Sequence, residues 1–184
     1  MRQPSLALHN IYISEGHQFF GRHGLGALSH PILELDEVEC VAGQGLRGDR
    51  FFASAKHPLG QVTLFSREVF LAMQRDLGVT GAQPSALRRN LLVSGADLNT
   101  LIGLAFQLQG IQLRGVEECR PCYWMDLAVG PGAEAWLRGR GGLRCRILTS
   151  GWLRVERDLT PRAELQPAQV GGRRGVNTLR PVPG

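Results

Sequence analysis

Apolar residues in this chain come in short alternating runs closed off by glycine, a pattern that admits little besides a mostly β domain. Residues 32–42 read Ile-Leu-Glu-Leu-Asp-Glu-Val-Glu-Cys-Val-Ala, apolar and polar by turns, as a half-buried strand requires. Comparable runs lie at 6–14, at 61–65, within 86–95, and at 106–108 and 111–116, the last two joined by a Gln109-Gly110 hairpin turn. Residues 143–150 and 152–156 read as a closing hairpin through Gly151. Helical spacing is confined to 67–77, where Ser66 is placed to cap, Val69, Phe70, Met73 and Leu77 share a face and Gly78 follows. Residues 131–138 have helix composition, and 97–103 resemble a capped helical turn. About seven to nine strands with two or three short helices predict a mostly β, mostly antiparallel, closed or partly closed β-barrel.

A chain of 184 residues, 43% hydrophobic, closes one core without staples. The expected organisation is an N-terminal strand with a Gly/His-rich loop at 1–31, belonging to the same domain as a barrel core at 32–158, then a flexible tail at 159–184 rich in glycine and proline. With no secretory apolar core and no apolar run near the ~20 residues that span a bilayer, the expectation is a cytoplasmic protein with no membrane partner. Four scattered cysteines do not form a disulfide scaffold, which agrees with a reducing compartment. A structural zinc would need Cys40, Cys145 or a distant histidine to complete the one Cys-x-x-Cys pair.

The net charge of +5 is carried by arginine, since Lys56 is the single lysine. Arginine richness reflects either a biased genome or an anionic ligand, because guanidinium matches phosphate and carboxylate with paired donors. No recognition helix, finger or RNA-binding strand motif is present, so nucleic acid is not expected and a small phosphorylated ligand suits the pattern better.

Residues 117–126, Glu-Glu-Cys-Arg-Pro-Cys-Tyr-Trp-Met-Asp, concentrate the chemistry. The thiolate is both the nucleophile and the soft metal ligand. Arg120 stands between Cys119 and Cys122, and Pro121 fixes the backbone angle before the second sulfur. This favours a positioned, activated Cys122, set against the alternative of a cysteine that is a small buried hydrophobe. The 43–50 loop adds glycines at 43, 45 and 48 with Arg47, Asp49 and Arg50, read either as a ligand loop or as a solvated turn. Arg88, Arg89 and Asn90 stand at a strand entrance, where alternation would put Arg88 and Asn90 on one side and Arg89 on the other. His17, His23 and His30 have no metal-ligand spacing, so 16–26 is treated as a functional or capping loop.

Taken in order, Gly-Leu-Arg-Gly-Asp-Arg (45–50), Arg-Arg-Asn-Leu-Leu-Val-Ser-Gly-Ala-Asp-Leu-Asn-Thr-Leu-Ile-Gly (88–103), Cys-Arg-Pro-Cys (119–122) and Gly-Arg-Gly-Gly-Leu-Arg-Cys-Arg (139–146) resemble the MOSC family in its small stand-alone bacterial form. The family is named for the C-terminal domain of molybdenum cofactor sulfurase, and the resemblance covers roughly residues 32–155. It implies a MOSC-type, pyruvate-kinase-barrel-like fold whose shallow cleft binds the molybdenum cofactor, a pterin with a dithiolene and a phosphate. It further implies that Cys122 ligates molybdenum or carries a persulfide, and that Arg88, Arg89 and Asn90, with Arg47, Arg50 and Arg140 as weaker candidates, hold the cofactor. Cys119 departs from the commonest pattern and suggests a resolving thiol.

Two functions follow from the resemblance. One is a reductase of N-hydroxylated small molecules, drawing electrons from a donor protein in trans, since the chain carries neither a flavin domain nor an iron–sulfur cysteine set. The other is a sulfur carrier with a persulfide on Cys122, charged by a cysteine desulfurase in trans. A barrel that binds an anion and performs no chemistry is the third alternative.

Overall fold

The computed structural model describes residues 5–18 and 24–157, so the expected tail and part of the Gly/His-rich loop lie outside the described residues. Ten strands run in the order β1 (Ala7–Ile13), β2 (Leu33–Leu35), β3 (Glu37–Val41), β4 (Gly45–Leu46), β5 (Val62–Ser66), β6 (Leu91–Ser94), β7 (Ala105–Leu108), β8 (Ile111–Glu118), β9 (Leu143–Ile147) and β10 (Gly151–Arg154). Three helices interrupt them: α1 (Arg67–Leu77), α2 (Trp124–Ala128) and α3 (Ala133–Leu137). Seven strands form a curled half-barrel sheet, β2-β1-β6-β5-β9-β8-β7, and three form a second sheet, β10-β3-β4. Only β5 and β6 pair in parallel among the described strands, and α1 lies in the crossover between them.

Alternation places one face of each sheet in a common core, with Leu8, Ile11, Leu64, Leu113 and Ile147 meeting Val38, Cys40 and Leu153. A second cluster, Phe65, Phe70, Met73, Leu87, Met125 and Leu137, packs the three helices on the other side of β5. Burying each such side chain stabilises the fold by about 1.5–3 kcal/mol. The α1 boundaries follow the sequence: Ser66 Oγ accepts from Val69 N at 3.2 Å, and Gly78 ends the helix at φ +67°. The Gln109-Gly110 turn has φ of +49° and +82°, the left-handed pair that a two-residue hairpin demands. No helix among the described residues is long and apolar enough to cross a membrane.

Two sequence expectations need correction. Residues 32–42 are not one strand, for the chain breaks at Asp36 and sends β2 to β1 and β3 to β10. The reason is parity: the apolar positions are odd at 33 and 35 but even at 38 and 40, so one unbroken strand would turn half of them to the wrong face. Likewise β9 and β10 are not a hairpin. β9 sits between β5 and β8, while β10 crosses to pair with β3, Leu153 opposite Val38. The sequence also omitted α2 and began α3 two residues early.

The junction of β1, β5 and β6 is held by Asn90, only 3% exposed. Its N–H donates to Thr63 Oγ1 at 2.9 Å and its Oδ1 accepts from Thr63 N at 3.0 Å. Its Nδ2 donates to Tyr12 O at 3.1 Å and Asp49 Oδ1 at 3.2 Å. Asn90→Ala keeps the backbone N–H but removes the side-chain bonds to Thr63 N, Tyr12 O and Asp49 Oδ1, and a loss of about 1–3 kcal/mol is expected in denaturant titrations.

Candidate functional site

A cleft of about 540 Å³ opens where the 50–60 segment, the entry to β6, the chain after β8 and the start of β9 converge. Its cations come from Arg50, Arg88, Arg89, Arg120 and Arg144, and both Cys119 and Cys122 line it. The structure thus brings together three of the expected arginines and both expected cysteines. Arg47 and Arg140 lie elsewhere: Arg47 is ion-paired with Glu39 and stacked 4.9 Å over Phe52, and Arg140 lies 4.5 Å over Trp136 beside another cleft of about 550 Å³. Asn90 is buried in the junction already described and presents no face to a ligand.

Each arginine of the cleft has a different occupation. Arg88 does not extend a strand, since its φ of +53° is left-handed, which corrects the alternation expected for 88–90. Its guanidinium donates to Gln18 Oε1 at 2.7 Å, Gly16 O at 2.7 Å, Ser14 Oγ at 2.9 Å and His30 O at 3.2 Å. These bonds tether the described ends of the Gly/His-rich loop to the cleft. Arg89 donates to Gly141 O and Cys119 O at 3.0 Å and to Leu87 O at 3.1 Å, bracing the cysteine segment from behind. Gly141 itself allows this contact, because any Cβ there would overlap the Cys119 carbonyl oxygen.

Arg50 is the under-partnered member. Its side chain is 11% exposed, its Nη1 lies 3.7 Å from Asp49 Oδ1, and its buried Nε has no hydrogen-bond partner among the described residues. The guanidinium sits 4.7 Å over Phe51. Burial lowers the Arg50 pKa, Asp49 opposes that, and Arg89 lowers it further. Burial also brings Arg88 down, with help from Arg50 and against Asp49, to about 10. One carboxylate therefore faces several mutually repelling cations, the electrostatic condition for holding an added anion.

Aromatic side chains complete the walls. His17, Phe51 and His57 contact edge to face at 5.1 Å each, and Tyr123 packs on Trp124 at 4.6 Å. Burial first, then Arg50, Arg88 and His57, lower the His17 pKa against the pull of Asp49, which favours the neutral imidazole. Among the described residues no group of three His, Cys, Asp or Glu side chains is placed to hold a metal ion.

The two cysteines differ sharply. Cys122 is exposed, whereas Cys119 is buried. Burial pushes the Cys119 thiol up; Arg89 and Arg144 oppose it, Arg144 also by a hydrogen bond to the sulfur. Sequence reasoning did not single out Arg144, although its half-exposed place between Leu143 and Cys145 on β9 follows from simple alternation. Phe51 and His57 carried no signal beyond residue type. Alkylation with iodoacetamide at pH 8 is expected to modify Cys122 first, with Cys40, Cys119 and Cys145 reacting only after denaturation, as mass mapping of the labelled peptides will show.

Comparison with known proteins bears on the same segments. Solved structures similar to this chain include the YUAD protein from Bacillus subtilis, at 20% identity over 84% of this chain and 94% of that one, with a TM-score of 0.62. YiiM from Escherichia coli aligns at 17% identity over 84% of this chain and 66% of its own, TM-score 0.55. YiiM from Geobacillus stearothermophilus aligns at 11% identity over 82% and 71%, TM-score 0.58. At these identities the likeness is one of fold. No curated protein sequence matches the chain. The MOSC domain family matches residues 54–160, which include the β6 entry, the cysteine segment and β9, and the chain belongs to that family.

Proposed function

We propose that the cleft binds the molybdenum cofactor and that the protein reduces N-hydroxylated small molecules with electrons from a partner protein. The observation that carries this reading is the convergence, in one cleft, of an exposed thiol at Cys122 and a buried, under-partnered guanidinium at Arg50. The donor set suits the group: Cys122 is a soft ligand for a metal already held by sulfur, Arg50 and Arg144 offer charged donors to a phosphate, and Phe51 with Tyr123 offers flat apolar surface to a pterin. A cleft of about 540 Å³ is of the size that small cofactors occupy. When bound, the cofactor supplies two-electron oxygen-atom chemistry. The net reaction takes an N–OH group, two electrons and two protons to N–H and water.

The chain's own residues do the positioning. Arg89 fixes the carbonyl of Cys119 and thereby the course of the chain to Cys122. Arg88 spends its donors on the loop ends, so its part in the site is to hold His17 and Gln18 at the rim, and Arg50, a weaker candidate in the sequence, takes the anion-binding role expected first of the 88–90 segment. The exposure of Cys122 also supports the second reading, a sulfur carrier holding a persulfide there, because such a thiol must be reachable by a donor and an acceptor.

Elemental and pterin analysis of protein from cells competent in cofactor synthesis decides between them. Stoichiometric molybdenum and pterin, lost in Cys122→Ser, is the expected result. No molybdenum and a mass increase of one sulfur atom on Cys122 would establish the carrier, and neither would overturn both readings. Arg50→Ala is expected to weaken pterin retention about 10- to 100-fold, the worth of a charge-assisted hydrogen bond.

A further inference from the structure

Half of the exposed arginines among the described residues sit in ion pairs: Arg47 with Glu39, Arg75 with Asp76, Arg138 with Glu134, Arg154 with Glu37 and Arg157 with Asp36. Of the others, two face each other on the outer side of β8 and β9. Arg114 and Arg146 stand directly opposite each other across the two strands, both exposed, and neither makes an ion pair or side-chain hydrogen bond among the described residues. Like charges in that register destabilise a sheet. Nothing in the core requires them, since their side chains are on the solvent side of strands whose other face packs Leu113, Cys145 and Ile147.

The pair is also continuous with the cleft. Two positions before Arg146 on β9 comes Arg144, which lines the cleft and reaches Glu117 at 3.5 Å, and Arg120 lines it from the end of β8. Four guanidinium groups, of which only Arg144 has a carboxylate partner among the described residues, thus run from the cleft mouth along the outer face of the sheet. A surface of this kind steers and orients a partner of opposite charge.

We propose that this stripe is the docking surface for an acidic electron-carrier protein, one whose carboxylates surround its redox centre. The inference rests on the reductase reading, which requires electrons from outside the chain. Charge complementarity selects the partner's sign, and continuity with the cleft brings its redox centre to the site where reduction takes place. Each turnover draws two electrons, from two successive dockings of a one-electron carrier, and these with two protons from solvent convert N–OH to N–H and water. The like-charge pair is kept at a cost to the sheet because the partner supplies the missing carboxylates.

The test uses the full chain with two purified acidic carriers, a flavodoxin and a plant-type [2Fe–2S] ferredoxin, and with a single-stranded oligonucleotide as a competing polyanion. At least one carrier is expected to bind at low salt, with affinity falling tenfold or more as ionic strength rises from about 0.02 to 0.2 M. Arg114→Glu/Arg146→Glu should lose at least tenfold in that affinity. Arg67→Glu/Arg75→Glu on α1, with the same change in net charge, should lose less than threefold. Arg146→Glu alone should raise the melting midpoint by about 1–4 °C, by turning a repulsive cross-strand pair into an attractive one, so that its weaker docking is not a folding defect. Binding by neither carrier, binding indifferent to the double reversal, a lowered midpoint in Arg146→Glu, or tighter binding of the oligonucleotide through the same two arginines would each overturn the proposal. Docking is scored on protein with and without molybdenum: docking without cofactor retention removes the reductase reading and leaves the surface, and retention without docking removes the surface alone.

Discussion

Everything at the cleft depends on a carboxylate that water barely reaches. Asp49 accepts from Ser14 N at 3.2 Å, Phe51 N at 3.1 Å and Asn90 Nδ2 at 3.2 Å, and among the described residues it is the acid paired with Arg50. A buried carboxylate is tolerable only when its lone pairs are filled and a cation stands nearby, and here both conditions are met by three different parts of the chain. The same oxygen atoms therefore fix the end of β1, the 49–52 turn and the start of β6. Arg50 enters the cleft because its counter-ion is anchored beneath it.

From that anchor the division of labour among the arginines becomes intelligible. A guanidinium has five donors in a fixed fork, and counting where they go separates structure from site. Arg89 sends its donors to three carbonyls, and Arg88 sends its own to four acceptors, so both are braces. Arg50 leaves donors unused in a place shielded from solvent. The charge they share raises the potential at the cleft, while their hydrogen bonds keep the walls still, and both properties suit a site assembled before its ligand arrives.

The sequence carried much of this, and the failures have physical causes. Helix α1, the 109–110 turn and the strand character of most segments were legible because cap, breaker and alternation agree locally, whereas β4 at Gly45–Leu46, two residues inside a glycine-rich stretch read as a loop, was not. Sheet membership was not legible: β9 and β10 look like a hairpin from any local window, and only the partners, β5 and β3, decide otherwise. The break at Asp36 is legible in the parity of Leu33, Leu35, Val38 and Cys40, although the polar-apolar alternation across 32–42 suggests one strand. At the site, motif proximity grouped Arg47 and Arg140 with the rest, yet Arg47, three residues from Arg50, pairs with Glu39, and Arg140 stacks on Trp136. Arg88 misled for a related reason, since a left-handed residue ahead of a strand does not obey the strand's alternation.

The strand order has a last consequence, for how the chain reaches this state during synthesis. β5 leaves the ribosome long before β9, the strand that closes its free side, and β1 has to wait for β6. Contacts this distant in sequence are slow to form and leave hydrogen-bonding edges open in the interval. The buried segment Val-Thr-Leu-Phe-Ser at 62–66 is such an edge, flanked directly by α1, whose cap and stop are local. Because α1 follows β5 directly and lays Phe70 and Met73 over Phe65, the one neighbour that can cover a face of that strand is already synthesised while its sheet partners are not.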